Sequence, residues 1–289
     1  MKKGTFLDAG GKPGAGGGPA GAAGAPGAER AGAPPAPVLL PPDTALDRLL
    51  SLGLWAAGLS WLVSLVSVQM LLMRFLHPRR IDPLARLYTR GQVALTGAGW
   101  RAVVHPDVDP GRAYMFFQNH TNHLDHCTAY AATPHFKQGI ELEEHFRFPV
   151  YGRFMKQRGT IPVRRGSLGD LRELCERARA ELDRGNSLLV FPEGTRTLDG
   201  RLGELQPGMF RVARMLGAAI VPVTVTGMYR VMRKGSLLIR PGHRVTVYCD
   251  QPIETAGLSV RQVPELMERV RAVISARLDA YWNGSERSG

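Results

Sequence analysis

YMFFQNHTNHLD, residues 114–125, passes from an apolar run to a polar turn and on to a helix start. Tyr114 to Gln118 has the short, aromatic-rich character of a buried strand. Asn119 to Asp125 follows at once and carries two histidines and a carboxylate. His120 and Asp125 stand five residues apart. On a regular helix that separation turns through about 500° and leaves the side chains about 140° apart. They cannot meet along one helical face. His120 is therefore expected in the loop or first turn and Asp125 on the following helix, where a carboxylate can hold one ring nitrogen while the other takes a proton.

The same order, apolar run then polar turn, recurs along the chain. Ala102 to Val104, Thr160 to Val163, Leu188 to Phe191 and Ile220 to Val225 are further strand candidates. Between the second and third of these, Ser167 to Arg184 reads as a helix with the apolar stripe Leu171, Leu174, Cys175, Ala178 and Leu182, opened by Ser167 and Asp170 at capping-box spacing. IRPGHRVTV, around Pro241 and Gly242, reads as a hairpin, and Val263 to Leu278 as an amphipathic closing helix. No internal repeat is visible. Alternating strands and helices predict an α/β fold with a central, mostly parallel sheet flanked by helices.

Two more polar turns sit after strand candidates. In Phe191-Pro192-Glu193-Gly194-Thr195-Arg196, the proline and glycine force a turn, Glu193 can accept hydrogen bonds from a hydroxyl or an arginine, and Arg196 can take an anion. GTIPVRR, residues 159–165, is an apolar strand ending in Arg164 and Arg165. Val221-Pro222-Val223 leads to Gly227, whose expected role is structural. In open α/β sheets, sites form beyond the carboxyl ends of strands, and His120, Arg165 and Glu193 each follow a strand at that end. Three strands thus direct chemistry to one edge.

Ahead of this region lie two segments of different composition. Ala9 to Pro42 is nearly all Gly, Ala and Pro, without the large side chains that could offset ordering entropy, so it reads as a disordered tail. Leu49 to Met73 carries no charge and, at about 1.5 Å per residue, is long enough to cross about 30 Å of hydrocarbon. Arg74, Arg79, Arg80, Arg86 and Arg90 follow it. The positive-inside rule then places the rest of the chain on the cytoplasmic face of an inner membrane. A helix lying in one leaflet is the alternative. The expected organisation is a tail over 1–46, a membrane-anchoring helix over 47–76 and the α/β domain over 77–289.

Composition agrees with a membrane surface. The formal net charge is +12, and after Met73 there are 32 basic against 21 acidic residues. Most of the excess is arginine, whose planar fork suits phosphate and anionic lipid. No nucleic-acid partner is expected. The three cysteines, Cys127, Cys175 and Cys249, are widely spaced and contain no CxxC pair, which argues against a disulfide framework and for a reducing compartment.

NHTNHLD, GTIPVRR, FPEGTR and VPVTVTG, in this order and separation, resemble the four blocks of the 1-acylglycerol-3-phosphate acyltransferase family over roughly Tyr114 to Gly227. The histidine block and FPEGTR together carry the specificity of the match. The resemblance implies that residues 77–289 form an acyltransferase catalytic domain in phospholipid biosynthesis. It implies that His120 deprotonates the acceptor hydroxyl and Asp125 orients it, with no metal or other cofactor. The attacked thioester would belong to acyl-CoA or acyl-carrier protein as co-substrate. Arg165, Glu193, Gly194, Thr195 and Arg196 would bind a lysophosphatidate-type acceptor, and membrane phospholipids would surround the enzyme. Two positions depart from the family pattern: Asn122 stands where Ser is usual, and Arg164 where Asp is frequent. Neither touches the base; both bear on the acceptor.

Other readings compete. The hydrolase metal pattern HxHxDH would need His at position 121, where Thr121 stands. Cys127 could serve as a thiol nucleophile, though a small residue packed under a helix is its more ordinary role. An acyltransferase acting on glycerol 3-phosphate or another lyso-lipid fits the same motifs. A non-catalytic lipid-binding protein fits the anchor and the charge, but not a base and a phosphate cluster on one sheet edge.

Overall fold

The computed structural model describes residues 44–164 and 169–284. The expected tail falls almost wholly outside them, as do Arg165 and the Ser167 cap. Two helices come first, α1 (Ala45–Leu72) and α2 (Asp82–Ala94). There follow β1 (Gly99–Val104), β2 (Met115–Gln118), α3 (Asp125–Ala132), β3 (Lys137–Leu142), α4 (Tyr151–Arg158) and β4 (Ile161–Val163). The chain continues through α5 (Gly169–Asp183), β5 (Ser187–Val190), α6 (Pro207–Leu216), β6 (Ile220–Thr226), α7 (Met228–Val231), β7 (Arg244–Cys249) and α8 (Val263–Trp282).

The seven strands form one sheet in the order β1-β7-β6-β2-β5-β3-β4. Every neighbouring pair is parallel except β6 with β7. The expected α/β fold with a mostly parallel sheet is therefore present. β2 lies at the centre, all four of its residues buried, because both faces of the sheet are covered. Alternation sends Met115 and Phe117 into a layer with Leu174 of α5, Phe210 of α6 and Val270 and Ile274 of α8. Tyr114 and Phe116 enter the opposite layer with Ala129 of α3, Met228 of α7, Val221 and Val223. Gly227 has φ 82°, and a Cβ there would lie 2.0 Å from the Arg244 carbonyl oxygen, so its structural role is met.

Two expectations of local structure need correction. Pro241 and Gly242 do not join a hairpin: β7 pairs with β1 and β6, and Gly242 instead donates to the Gly97 carbonyl at 3.0 Å. The stretch before them bonds elsewhere, with Ile239 N–H donating to Ser51 of α1 at 2.9 Å. β3 was not anticipated. It opens on Lys137 and Gln138, polar residues that are nonetheless buried, and Gly139 interrupts its apolar pattern.

α1 carries the expected apolar run and is long and apolar enough to cross a membrane. It is opened by a reciprocal capping box between Thr44 and Asp47. One side of the helix is bonded to the body along its length. Trp55 donates to the Leu237 carbonyl at 2.6 Å, Gln92 to that of Gly58 at 3.1 Å, Trp61 to that of Tyr88 at 3.1 Å, and Gln157 to that of Met70 at 2.9 Å. The other side leaves Leu49, Leu52, Val63 and Leu71 exposed.

Candidate active site

β2 and β5 are adjacent and parallel, so the turns that follow them leave the sheet side by side. In the first turn, His120 Nδ1 lies 2.8 Å from Asp125 Oδ2, with Asp125 fully buried at the start of α3 and the imidazole about a quarter exposed. The same carboxylate accepts the Asn122 N–H at 2.8 Å, the Thr121 hydroxyl at 2.8 Å and the Thr121 N–H. An acceptor already held by three donors has little freedom, so it fixes the ring of His120 in orientation. The ring also stacks on Phe191, centroids 4.1 Å apart. Nε2 remains for an exchangeable proton.

The second turn closes onto the first. Glu193 accepts the His120 N–H at 2.7 Å on one oxygen and the Gly203 N–H at 2.7 Å on the other, and it is 4% exposed. Burial pushes its carboxyl up to about 7, against the pull of those two backbone donors. Glu193, expected as a substrate ligand, thus places one oxygen on the His120 amide and the other on the Gly203 amide, bracing the backbone of the histidine turn from below. The Thr197 N–H completes the brace by donating to the His120 carbonyl at 2.8 Å. Gly194, at φ 63°, turns the chain outward, and Thr195 is exposed.

Arg196 reaches back across the gap, Nη1 donating to His123 Nε2 at 2.8 Å. Burial, and then the Arg196 charge, lower the His123 pKa, which keeps that nitrogen an acceptor. Lys234 donates to Thr195 Oγ1 at 3.1 Å and to the Arg196 carbonyl at 3.0 Å. Its ammonium was not singled out from the sequence, since it lies far along the chain in a loop without a motif. Arg164 is paired with Glu143 at the surface.

Asn122 is explained by structure rather than by chemistry. Its amide donates to the carbonyls of Met232 at 2.9 Å and Met228 at 3.2 Å, and its oxygen accepts the Leu124 N–H at 2.8 Å. Asn119 makes a reciprocal pair with Val225, at 2.7 and 3.1 Å. The histidine loop is thus tied to β6 and α7. Cys127 is fully buried, and burial pushes its thiol far above the range of a nucleophile. Among the described residues no group of three or more His, Cys, Asp or Glu side chains is placed to hold a metal ion.

His120, His123 and Arg196 line a cavity of about 680 Å³ whose walls are mostly apolar. Leu54, Leu59 and Leu62 of α1, with Tyr88 of α2, form one side; Ile140, Phe154, Met155 and Leu189 form another. A base held by a buried carboxylate, a cation opposite it and an apolar cavity between helices and sheet can together activate a hydroxyl beside a long hydrocarbon chain.

That class of site agrees with the relatives of the chain. Residues 103–226 match the family model described as Acyltransferase. Chloroplastic 1-acyl-sn-glycerol-3-phosphate acyltransferase LPAT1 of Arabidopsis thaliana is 32% identical over 165 residues, 57% of this chain and 45% of that protein. The 1-acyl-sn-glycerol-3-phosphate acyltransferase of Limnanthes douglasii is 27% identical over 167 residues, 57% of this chain and 59% of that one. The chain spans about half the length of the curated relatives it matches. The crystal structure of the 1-acyl-sn-glycerophosphate (LPA) acyltransferase PlsC from Thermotoga maritima shares the fold, with a TM-score of 0.69 and 20% identity over 81% of this chain and 95% of that chain. The resemblance to 1-acylglycerol-3-phosphate acyltransferases carried by the four blocks is matched in both sequence and fold.

Proposed function

We propose that this chain is an O-acyltransferase that esterifies the free hydroxyl of a lysophosphatidate-type acceptor from an acyl thioester. The observation that carries the reading is the His120–Asp125 pair at the mouth of the apolar cavity. His120 Nε2 takes the hydroxyl proton as the oxygen attacks the thioester carbonyl. The tetrahedral intermediate collapses with loss of the thiolate of CoA or of acyl-carrier protein, and the imidazolium returns the proton to that sulfur. Asp125 keeps the tautomer and stabilises the transient imidazolium. Glu193 is a positioning residue that sets the His120 backbone. Arg196, joined by Arg165 of the GTIPVRR block on the strength of the resemblance, takes the acceptor phosphate, exchanging the neutral His123 for an anion. The chemistry needs no metal.

α1 is proposed as the membrane anchor at the cytoplasmic face of the inner membrane. Because one side is bonded to the body along its length, the exposed leucines favour a helix lying in one leaflet over one crossing alone. Such a placement brings the cavity mouth to the depth at which a lyso-lipid presents its hydroxyl.

Membranes containing the full chain, given labelled acyl-CoA or acyl-carrier protein with each acceptor in turn, test the reading by the mass of the product. Phosphatidate from lysophosphatidate is expected. Acylation of glycerol 3-phosphate or of a lyso-lipid without the phosphomonoester, in preference to lysophosphatidate, would move the assignment to that acceptor.

A further inference from the structure

The inner end of the cavity is not apolar. Lys137 and Arg158 line it, although one is 2% and the other 8% exposed. Lys137 Nζ donates to Thr133 Oγ1 at 2.6 Å and weakly to the His135 carbonyl at 3.4 Å, and it lies over the rings of Phe116 and Tyr130. Arg158 Nη2 bonds the Tyr130 hydroxyl and, at 3.3 Å, the Lys137 carbonyl, and the guanidinium lies over the Tyr130 and Phe136 rings, while its Nη1 is buried without a hydrogen-bond partner. The nearby carboxylate, Asp82, is already engaged by Arg86 at 2.7 Å and by the Tyr130 hydroxyl. His135 adds no negative charge, and its own nitrogens bond Thr133 and the Asp109 carbonyl at 3.0 Å. Two buried basic groups therefore face an apolar cavity with a guanidinium donor left over, an unfavourable arrangement unless something accepts from it. Burial lowers the Lys137 ammonium to about 7, in the same direction as the geometry.

Strand register locates this cluster. Lys137 pairs with Ser187, one residue before Leu188, which pairs with Met115; Lys137 therefore starts level with Tyr114. Its Nζ rises to 4.7 Å from the Phe116 ring centre. At about 3.3 Å per residue the ammonium lies roughly 13 to 20 Å along β2 from His120. An extended alkyl chain, with C–C bonds near 1.5 Å, advances about 1.3 Å per carbon. Roughly ten to fifteen carbons would separate a thioester at His120 from a group at the inner end.

We propose that the inner end of the cavity, formed by Lys137 and Arg158, is a binding site for an oxygen-bearing chain terminus, carboxylate ahead of hydroxyl, on the acyl group. The site would make the enzyme selective for ω-oxygenated acyl chains of the length that reaches it. As an account of the acyl donor this rests on the acyltransferase reading, but occupancy of the cavity does not depend on turnover.

The test is displacement of a fluorescent fatty acid from the full chain in nanodiscs by unlabelled fatty acids of ten to sixteen carbons. Each length is supplied plain, with an ω-hydroxyl and as the ω-dicarboxylic acid. At the best-fitting length the dicarboxylic acid is expected to displace at about tenfold lower concentration than its plain counterpart, the hydroxyl falling between. Lys137→Met, close in shape and uncharged, is expected to abolish that ratio. Plain chains binding as well as or better than oxygenated ones at every length overturn the proposal, as does a ratio that survives Lys137→Met; should that variant not fold, the unsubstituted series decides alone. Loss of acyl transfer from plain donors in a parallel assay would instead count against the acyltransferase reading.

Discussion

The turn after β2 and the turn after β5 lie side by side, yet they are built differently. In the first, the polar groups around Asp125 are locked: its carboxylate has four partners, and the neighbouring asparagines are bonded to β6 and α7. The second is locked at its two ends, by Glu193 against backbone amides and by the Thr197 N–H on the His120 carbonyl; between them Gly194 and Thr195 are exposed and the Arg196 side chain rests on a neutral imidazole. A proton acceptor gains from being held in one geometry before substrate arrives. A phosphate ligand must release its resting partner when the anion comes, and a neutral histidine is easily given up. On the proposed reading, preorganisation belongs to one turn and exchange to the other.

The sharpest way to break this contrast is Asp125→Asn. The amide can replace one oxygen but sets an NH₂ against donors from Thr121, Asn122 or His120. Turnover should fall by about a hundredfold to ten-thousandfold, measured with saturating acceptor and donor. A loss under tenfold would mean that the locked turn is not needed for catalysis.

Glu193 tests the root of the second turn through stability. Its folded-state pKa of about 7 stands above the ordinary 4.5. As pH rises from about 4.5 to 7 the unfolded chain releases this proton first, so folding loses up to about 3 kcal/mol across that window and none beyond it. Glu193→Gln removes this titration but leaves an amide facing a backbone N–H, a loss of about 1 to 3 kcal/mol. Melting of both proteins at pH 5 and pH 8 should show the parent losing more stability on going to pH 8 than the variant does. Equal changes would place the Glu193 proton elsewhere in the account.

The outer part of the second turn should respond in affinity rather than in rate. Arg196→Ala is expected to raise KM for the phosphorylated acceptor roughly tenfold to hundredfold with little change in KM for the thioester. Arg164, a surface partner of Glu143, is the comparison: Arg164→Ala should stay within about fivefold. A larger effect of Arg196→Ala on the donor would assign that cation to the carrier's phosphates.

Much of this was legible from local pattern. β2 and β5 are short apolar runs ending in polar turns, β6 is one ending at Gly227, and the five-residue spacing of His120 and Asp125 already required a loop followed by a helix. What escaped depended on distant partners. β3 begins with Lys137, which no strand pattern predicts to be buried, because its burial is set by Thr133 and two rings from other elements. The polar turn showed Glu193 as a hydrogen-bond acceptor and the resemblance implied a ligand; only the packing of β5 beside β2 adds that it accepts from the His120 and Gly203 amides. The apolar run of α1 read as a membrane anchor, crossing or lying in one leaflet, but the bonds of Ser51, Trp55, Gly58 and Trp61 to the body were not legible, since their partners lie far along the chain. Arg165 lies outside the described residues, so its partnership with Arg196 stands on sequence alone.

The central claim is that His120 is the general base for acyl transfer to a hydroxyl. It is tested most directly by the turnover of His120→Ala against the parent, with lysophosphatidate and an acyl thioester, in protein shown to be folded by its melting transition. The account predicts a fall of at least about a hundredfold with both KM values nearly unchanged. Turnover within tenfold of the parent would contradict it.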